Sequence, residues 1–296
     1  MVTPESTSSQ ECEVHNQPIL RCGKHRFDFA ERTYIMGILN ITPDSFSDGG
    51  KFLNRNKAID HTKRMVEEGA DIIDVGGEST RPGTQPVSLE EELRRVIPVV
   101  EKLASQVEVP ISIDTTKAGV AKEALEAGAV MVNDISALRF DTKMAPLISE
   151  RGVPVVLMHM RGTPRTMQHH VVYDCLVSEI NSFLRERIEY AESVGIDSQK
   201  IIVDPGIGFG KSVPDGNLKI IKNLSFFKNL GKPILIGPSR KAFIGSVLNL
   251  GVEEREEGNA AAISLAINNG AKIIRVHDVK KMKRVAQMVD AILAVN

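Results

Sequence analysis

The residues best suited to chemistry in this 296-residue chain stand at the ends of short apolar runs. Asn40 closes "YIMGIL". The segment "GESTRPG" (77–83) follows "DIIDVG". Asp114 closes "PISID", Asn133-Asp134 closes "VMVND", and His159 lies near the end of "PVVLMHM". Asp204 opens the turn "DPG" after "KIIV". Ser239, Arg240 and Lys241 follow "PILIG", and "KIIRVHD" carries Arg275, Val276 and His277. Each has an ordinary explanation alone. Asn40 can satisfy turn backbone, Asn-Asp and Asp-Pro-Gly are common turn sequences, and His159 can be a core histidine. Asp114 can cap a helix, although Thr115 and Thr116 sit closer to the expected start at Lys117. Brought together, they offer more. Two carboxylates (Asp114 and Asp204), an amide (Asn133) and a lysine (Lys241) suit the donor-rich edge of an aminopyrimidine-like ring, because a carboxylate accepts two N–H donors and an amide matches a mixed edge. Ser239, Arg240, Arg275 and His277 form a basic side suited to phosphate, which arginine grips with its planar fork.

The runs that carry these residues are eight in number and rich in Ile and Val: 33–39, 71–76, 110–114, 130–134, 154–160, 200–206, 233–237 and 272–278. Continuous apolar runs suit parallel strands buried on both faces. Helical periodicity fills the gaps. Leu89, Leu93, Val96, Ile97, Val100 and Leu103 recur at three- and four-residue steps behind a Ser88/Glu91 capping-box pattern. Met65 and Val66 lie on a stripe that stops at Gly69, and Val279, Met282, Val285, Ala286, Val289 and Ile292 form another. Eight strand–helix units predict a single-domain (β/α)8 TIM barrel over residues 19–296. A doubly wound sheet would alternate too, but with fewer strands and a Gly-rich first turn. "ILRCGKHRFDF" (19–29) reads as a hairpin around Gly23 that closes the bottom of the barrel. The strand C-terminal ends form the active face of such a barrel, and the loops after its seventh and eighth strands are its usual phosphate site.

Other classes are excluded or set aside. A net charge of −1 gives no electrostatic basis for a nucleic-acid or anionic-membrane partner. No apolar run approaches the roughly 20 residues of a membrane span. Three cysteines, Cys12, Cys22 and Cys175, have no paired spacing, which suggests reduced thiols and a cytoplasmic setting. Residues 1–18 hold little to bury and are expected to form a disordered tail rather than a targeting signal. "PGIGFGKS" (205–212) has Pro205 where a P-loop needs its first glycine, and Lys211 where a dinucleotide fingerprint needs its third. Its glycines instead let backbone approach a flat ligand that Phe209 can face. His169-His170 lacks a third metal ligand at useful spacing.

Seven motifs in order, "NITPDSFSDGG", "GGESTRPG", "SIDT", "VNDIS", "VDPGIGFGK", "GPSRKAFIG" and "RVHDV", strongly resemble the dihydropteroate synthase family from about residue 20 to the C-terminus. The resemblance implies a pterin-binding barrel, usually a homodimer, that joins a hydroxymethyl-dihydropterin pyrophosphate to p-aminobenzoate and releases pyrophosphate. It implies that Asp114, Asn133, Asp204 and Lys241 bind the pterin, that Asn40 contacts Mg²⁺, and that Arg275 and His277, with Val276 between them, hold the pyrophosphate. Thr80 and Ser239 become substrate contacts. Phe46, Asp48, Arg81 and Pro82 fall in two loops that close over the site, with Asp48 near the cation developing on the pterin methylene. Ala242 is a departure, since many members carry Ser there to meet the aminobenzoate carboxylate. Two rivals remain. A pterin-binding methyltransferase acting on a corrinoid would need neither "STRPG", "SRK" nor the Arg275/His277 pair. A non-catalytic pterin-binding protein would be expected to have lost positions that this chain keeps.

Overall fold

The computed structural model describes residues 19–42, 51–81, 83–168 and 171–295. The expected tail, Phe46, Asp48, Pro82 and the His169-His170 pair lie outside them. A short antiparallel hairpin, β1 (Ile19–Cys22) and β2 (His25–Asp28), comes first among the described residues. Eight parallel strands follow: β3 (Tyr34–Asn40), β4 (Ile72–Gly76), β5 (Ile111–Asp114), β6 (Met131–Asp134), β7 (Val155–Met158), β8 (Ile201–Asp204), β9 (Ile234–Ile236) and β10 (Ala271–Val276). They close into a barrel in which β10 pairs with β3. Helices cover the outside: α1 (Lys51–Glu67), α2 (Leu89–Ala104), α3 (Ala118–Glu126), α4 (Met144–Arg151), α5 (Leu176–Ser193), α6 (Asp215–Lys222), α7 (Ala242–Leu248), α8 (Glu256–Asn268) and α9 (Val279–Leu293). This is the expected (β/α)8 barrel.

Strand parity divides the core in two. Ile35, Ile73, Val75, Ile113, Val132, Leu157, Val203, Ile236, Ile274 and Val276 pack outward against the helices. Met36, Ile72, Met131, Val156, Ile202, Leu235 and Ile273 point inward and fill the lower lumen. The hairpin's Leu20, Cys22, Phe27 and Phe29 join that inner cluster and plug the bottom of the barrel. Phe27 and Phe29 meet the Tyr34 ring edge-on at 4.9 and 5.6 Å, and the Tyr34 hydroxyl accepts from the Asp28 N–H at 2.9 Å. Such edge-on aromatic pairs add to the stabilisation from buried area. Charges at this lower end also have fixed tasks. Arg32 grips Asp71, whose Oδ2 also accepts from the Ile35 N–H at 2.8 Å, while Asp290 takes the N–H and hydroxyl of Thr33.

Helix starts follow the sequence in part. Ser88 Oγ accepts from the Glu91 N–H at 3.2 Å, the first half of a capping box. The reciprocal half is replaced, because the Glu91 carboxylate turns forward to Arg94 and Arg95.

Candidate active site

Moving two residues up each inward-facing row turns the lumen from apolar to polar. Ile72 gives way to Asp74, Met131 to Asn133, Ile202 to Asp204 and Ile273 to Arg275. Asp114, Asp204 and Asn40 are the last residues of their strands, so pairing in the barrel places them at its upper rim.

Arg275 crosses this mouth. Its Nε donates to Asp74 Oδ2 at 2.6 Å and its Nη2 to Asp114 Oδ2 at 2.7 Å. The Asn133 amide nitrogen donates to the same Asp74 oxygen at 2.9 Å. The basic side expected to meet phosphate is therefore not separate from the acids, because Arg275 pairs with two of them. Arg275 is long enough to reach across β3 to the acids of β4 and β5, and burial makes that pairing favourable. Burial also raises the Asp114 carboxyl to about 7, against the pull of Arg275.

Asp204 is held differently. Its Oδ1 accepts from the Gly206 N–H at 2.7 Å, and burial raises its pKa to about 6 against that hydrogen bond and the nearby Lys211, Lys241 and Arg275. Gly206 is required here. It has φ +73°, and a Cβ would lie 1.9 Å from the His159 carbonyl oxygen. Lys241, the residue before α7, hangs its ammonium 4.1 Å above the centre of the Phe209 ring. Burial and Arg275 lower its pKa to about 8. Phe209 forms an apolar wall with Ile135, Met158, Met160 and Met167.

His277 Nδ1 lies 2.9 Å from Ser239 Oγ, which also accepts from the His277 N–H at 3.3 Å. Burial, then Arg240, Arg275, Lys241 and Arg81, lowers this imidazole to about 3, so it is neutral at pH 7. Val276 faces the helices, so its side chain is outside the mouth. Thr80 is half-buried and Arg81 exposed. The base of their loop is tied by Arg95 Nη1 donating to the Gly77 carbonyl at 2.8 Å and by Lys117, which bridges Glu78 and the buried Glu92. Asn40 is half-buried beside Gly76.

Two buried residues escaped the sequence reading. Asp74 lies two residues before its strand end, where a search of the ends alone does not look; its signal is a lone carboxylate at inward parity in "DIIDVG". Lys211 is fully buried, with Nζ 2.7 Å from His159 Nδ1 and 2.9 Å from the His159 carbonyl oxygen. Burial pushes its pKa well below the usual lysine range. His159 packs edge-on against Phe183 and is lowered to about 2, chiefly by burial, which agrees with the core reading. A groove of about 440 Å³ lies between residues 171–177, which lead into α5, and one side of α6, and contains none of these residues.

The pterin binding enzyme family model matches residues 36–277. The chain is 47% identical to the dihydropteroate synthase of Bacillus subtilis (strain 168) over 289 residues, covering 98% of this chain and 96% of that protein. The Yersinia pestis dihydropteroate synthase, solved as a sulfonamide drug complex, superposes with a TM-score of 0.88 at 43% identity, covering 94% of this chain and all of that one. The Xanthomonas albilineans enzyme in complex with 7,8-dihydropteroate superposes with a TM-score of 0.85 at 43% identity and the same coverage.

Proposed function

The chain belongs to the pterin binding enzyme family, its activity is that of a dihydropteroate synthase, and we infer that the barrel mouth is where the reaction occurs. The substrates are hydroxymethyl-dihydropterin pyrophosphate and p-aminobenzoate. The substitution is dissociative: the C–O bond to pyrophosphate breaks well ahead of attack and pyrophosphate leaves with the bonding electrons, after which the amine nitrogen bonds to the cationic pterin methylene and gives up its proton to solvent. We assign the pterin to Asp114, Asn133, Asp204 and Lys241, with Phe209 on its face. The observation that carries this reading is their convergence from four strands or strand ends onto one mouth bridged by Arg275.

The leaving pyrophosphate is assigned to Arg275, His277 and Ser239. Arg275 is charged, His277 offers a neutral imidazole, and both are fixed before substrate arrives. Donors already aimed where charge develops need no reorganisation during bond breaking. The amine is a nucleophile in its neutral form, so holding it in line supplies much of the barrier reduction, on the order of several kcal/mol. Thr80 and Arg81, on the tied loop after β4, are assigned to its side of the mouth. Phe46, Asp48 and Pro82 keep their proposed roles of closing the site and meeting the developing cation.

Mg²⁺ fits the donor set. No cluster of three or more His, Cys, Asp or Glu able to hold a metal occurs among the described residues. Asn40 offers one amide oxygen at the rim, which suits a cation that takes its other ligands from substrate phosphates and water. When bound it would neutralise charge on the leaving pyrophosphate.

We further infer one catalytic domain over residues 19–296, a homodimer and a cytoplasmic location. Leu265 on α8 and Met288 and Ile292 on α9 are 57%, 62% and 59% exposed, an apolar face suited to a second copy. Cys22 and Cys175 are unpaired, in keeping with a reducing compartment. The deciding experiment mixes purified protein, Mg²⁺ and the two substrates. Formation of dihydropteroate is expected, and its absence overturns the assignment.

A further inference from the structure

Asp74 is fully buried inside the barrel and has no role in the scheme above. Its Oδ2 alone accepts from both the Asn133 amide nitrogen, at 2.9 Å, and Arg275 Nε, at 2.6 Å. A carboxylate beside a guanidinium is an acceptor, so the Asn133 group facing it must be the NH₂. That contact settles which end of the Asn133 amide remains for the mouth. We propose that Asp74 is the positioning residue of the ring subsite: it draws the Asn133 NH₂ toward itself, presents the Asn133 carbonyl oxygen to the ligand, and so makes the mouth select a ring edge bearing N–H donors.

The surroundings favour this sense of the amide. Asp114, paired with Asn133 on the neighbouring strand, and Asp204, at the end of β8, are the carboxylates at the rim, and carboxylates accept. Three acceptors then face one edge, while Lys241 supplies a donor from another side. An Asn133 turned the other way would place a donor among acceptors and leave two oxygens facing each other at Asp74. The same contact fixes Arg275, whose second fork arm reaches Asp114. Asp74 thus couples the ring subsite to the residue assigned to the leaving group.

The inference rests on the reading of the mouth as the pterin site, and the test separates the two. Pterin binding is measured by calorimetry on the parent, Asp74→Asn, Asp74→Leu and Asp74→Ala, beside thermal melting and the KM of each substrate. Both contacts use one oxygen, so the Asn carbonyl can keep them, and Asp74→Asn should bind within about threefold of the parent. The apolar variants should bind pterin at least about tenfold more weakly, the loss expected for a misplaced hydrogen-bonding group. Their KM for the pterin substrate should rise while that for p-aminobenzoate stays put. Asp74→Ala gives the reading if the leucine is not accommodated. Parent-like binding by whichever apolar variant folds would overturn the proposal. So would Asp74→Asn falling as far as the apolar variants, which would make charge, not amide orientation, the cause. A parent that binds no pterin would instead overturn the site assignment.

Discussion

Lys241 shows how a single residue can set the working range of the site. Its ammonium lies over Phe209, beside Arg275, and is lowered to about 8, while Asp204 and Asp114 are raised to about 6 and 7. Accepting ring N–H groups needs both carboxylates ionised, and donating a charge-assisted hydrogen bond needs the ammonium. Pterin affinity should fall as pH drops through 7 to 6 and again as it rises past 8. The stability of the unliganded protein should run against this on the acid side. The folded carboxyls hold protons more tightly than the unfolded ones at 3.8, so their contribution to stability declines as pH rises from about 4 to about 7. Lys241→Met should remove the alkaline limb and weaken pterin binding roughly ten- to hundredfold, the equivalent of about 1.5–3 kcal/mol. Lys241→Arg should restore little, because a planar fork does not replace a compact ammonium. Calorimetric titration across pH 5–9 checks both. Asn40 gives a sharper separation. Asn40→Ala should slow turnover yet leave the affinity for a pterin lacking pyrophosphate nearly intact, and equal loss of both would assign Asn40 to folding.

Secondary-structure elements divide the labour between the two ends of the barrel. The β1–β2 hairpin carries no proposed chemistry, yet Phe29 is fully buried in the plug it forms. Phe29→Ala should cost about 3–5 kcal/mol through lost burial and the cavity left behind, lowering the melting temperature by on the order of 10 °C. Turnover per folded molecule should be unchanged, since the mouth lies at the other end; a drop in kcat at matched folded concentration would contradict this division. Most elements were legible beforehand because periodicity is local. The runs at 33–39, 71–76 and 110–114 became β3, β4 and β5, and Ser88 begins α2 as its pattern suggested. The α3 start was less legible. Lys117 precedes it without a side-chain cap, and the Ala118 N–H is taken by Asp141 from the loop before α4, a partner no local pattern predicts.

At the scale of the whole molecule, closure of the barrel brings distant residues together and leaves one outer face apolar. Leu265 and Met288 lie on adjacent helices of that face, and nothing within the described chain covers them. The Leu265→Arg/Met288→Glu double variant should therefore shift the protein from dimer to monomer in light scattering while the far-ultraviolet dichroism stays the same. A parent that is already monomeric at micromolar concentration would reject the dimer.

The chain by itself determined the eight-fold alternation of strand and helix, the polar strand ends and the family, because each is written in short-range pattern or in motif order. It also held the inward parity of Asp74, Asn133 and Arg275, two positions above apolar lumen residues. What it could not express was pairing. Arg275 meets Asp114 from 161 residues away and Asp74 from 201, through contacts that exist only once β10 has closed against β3. Lys211 looked like a loop lysine in a glycine-rich run, and only the fold of that loop against His159 buries it. Local pattern reports which face of a strand a side chain takes. Which charge stands across the lumen, and how far burial moves its proton, depend on a low-dielectric interior that the closed barrel creates.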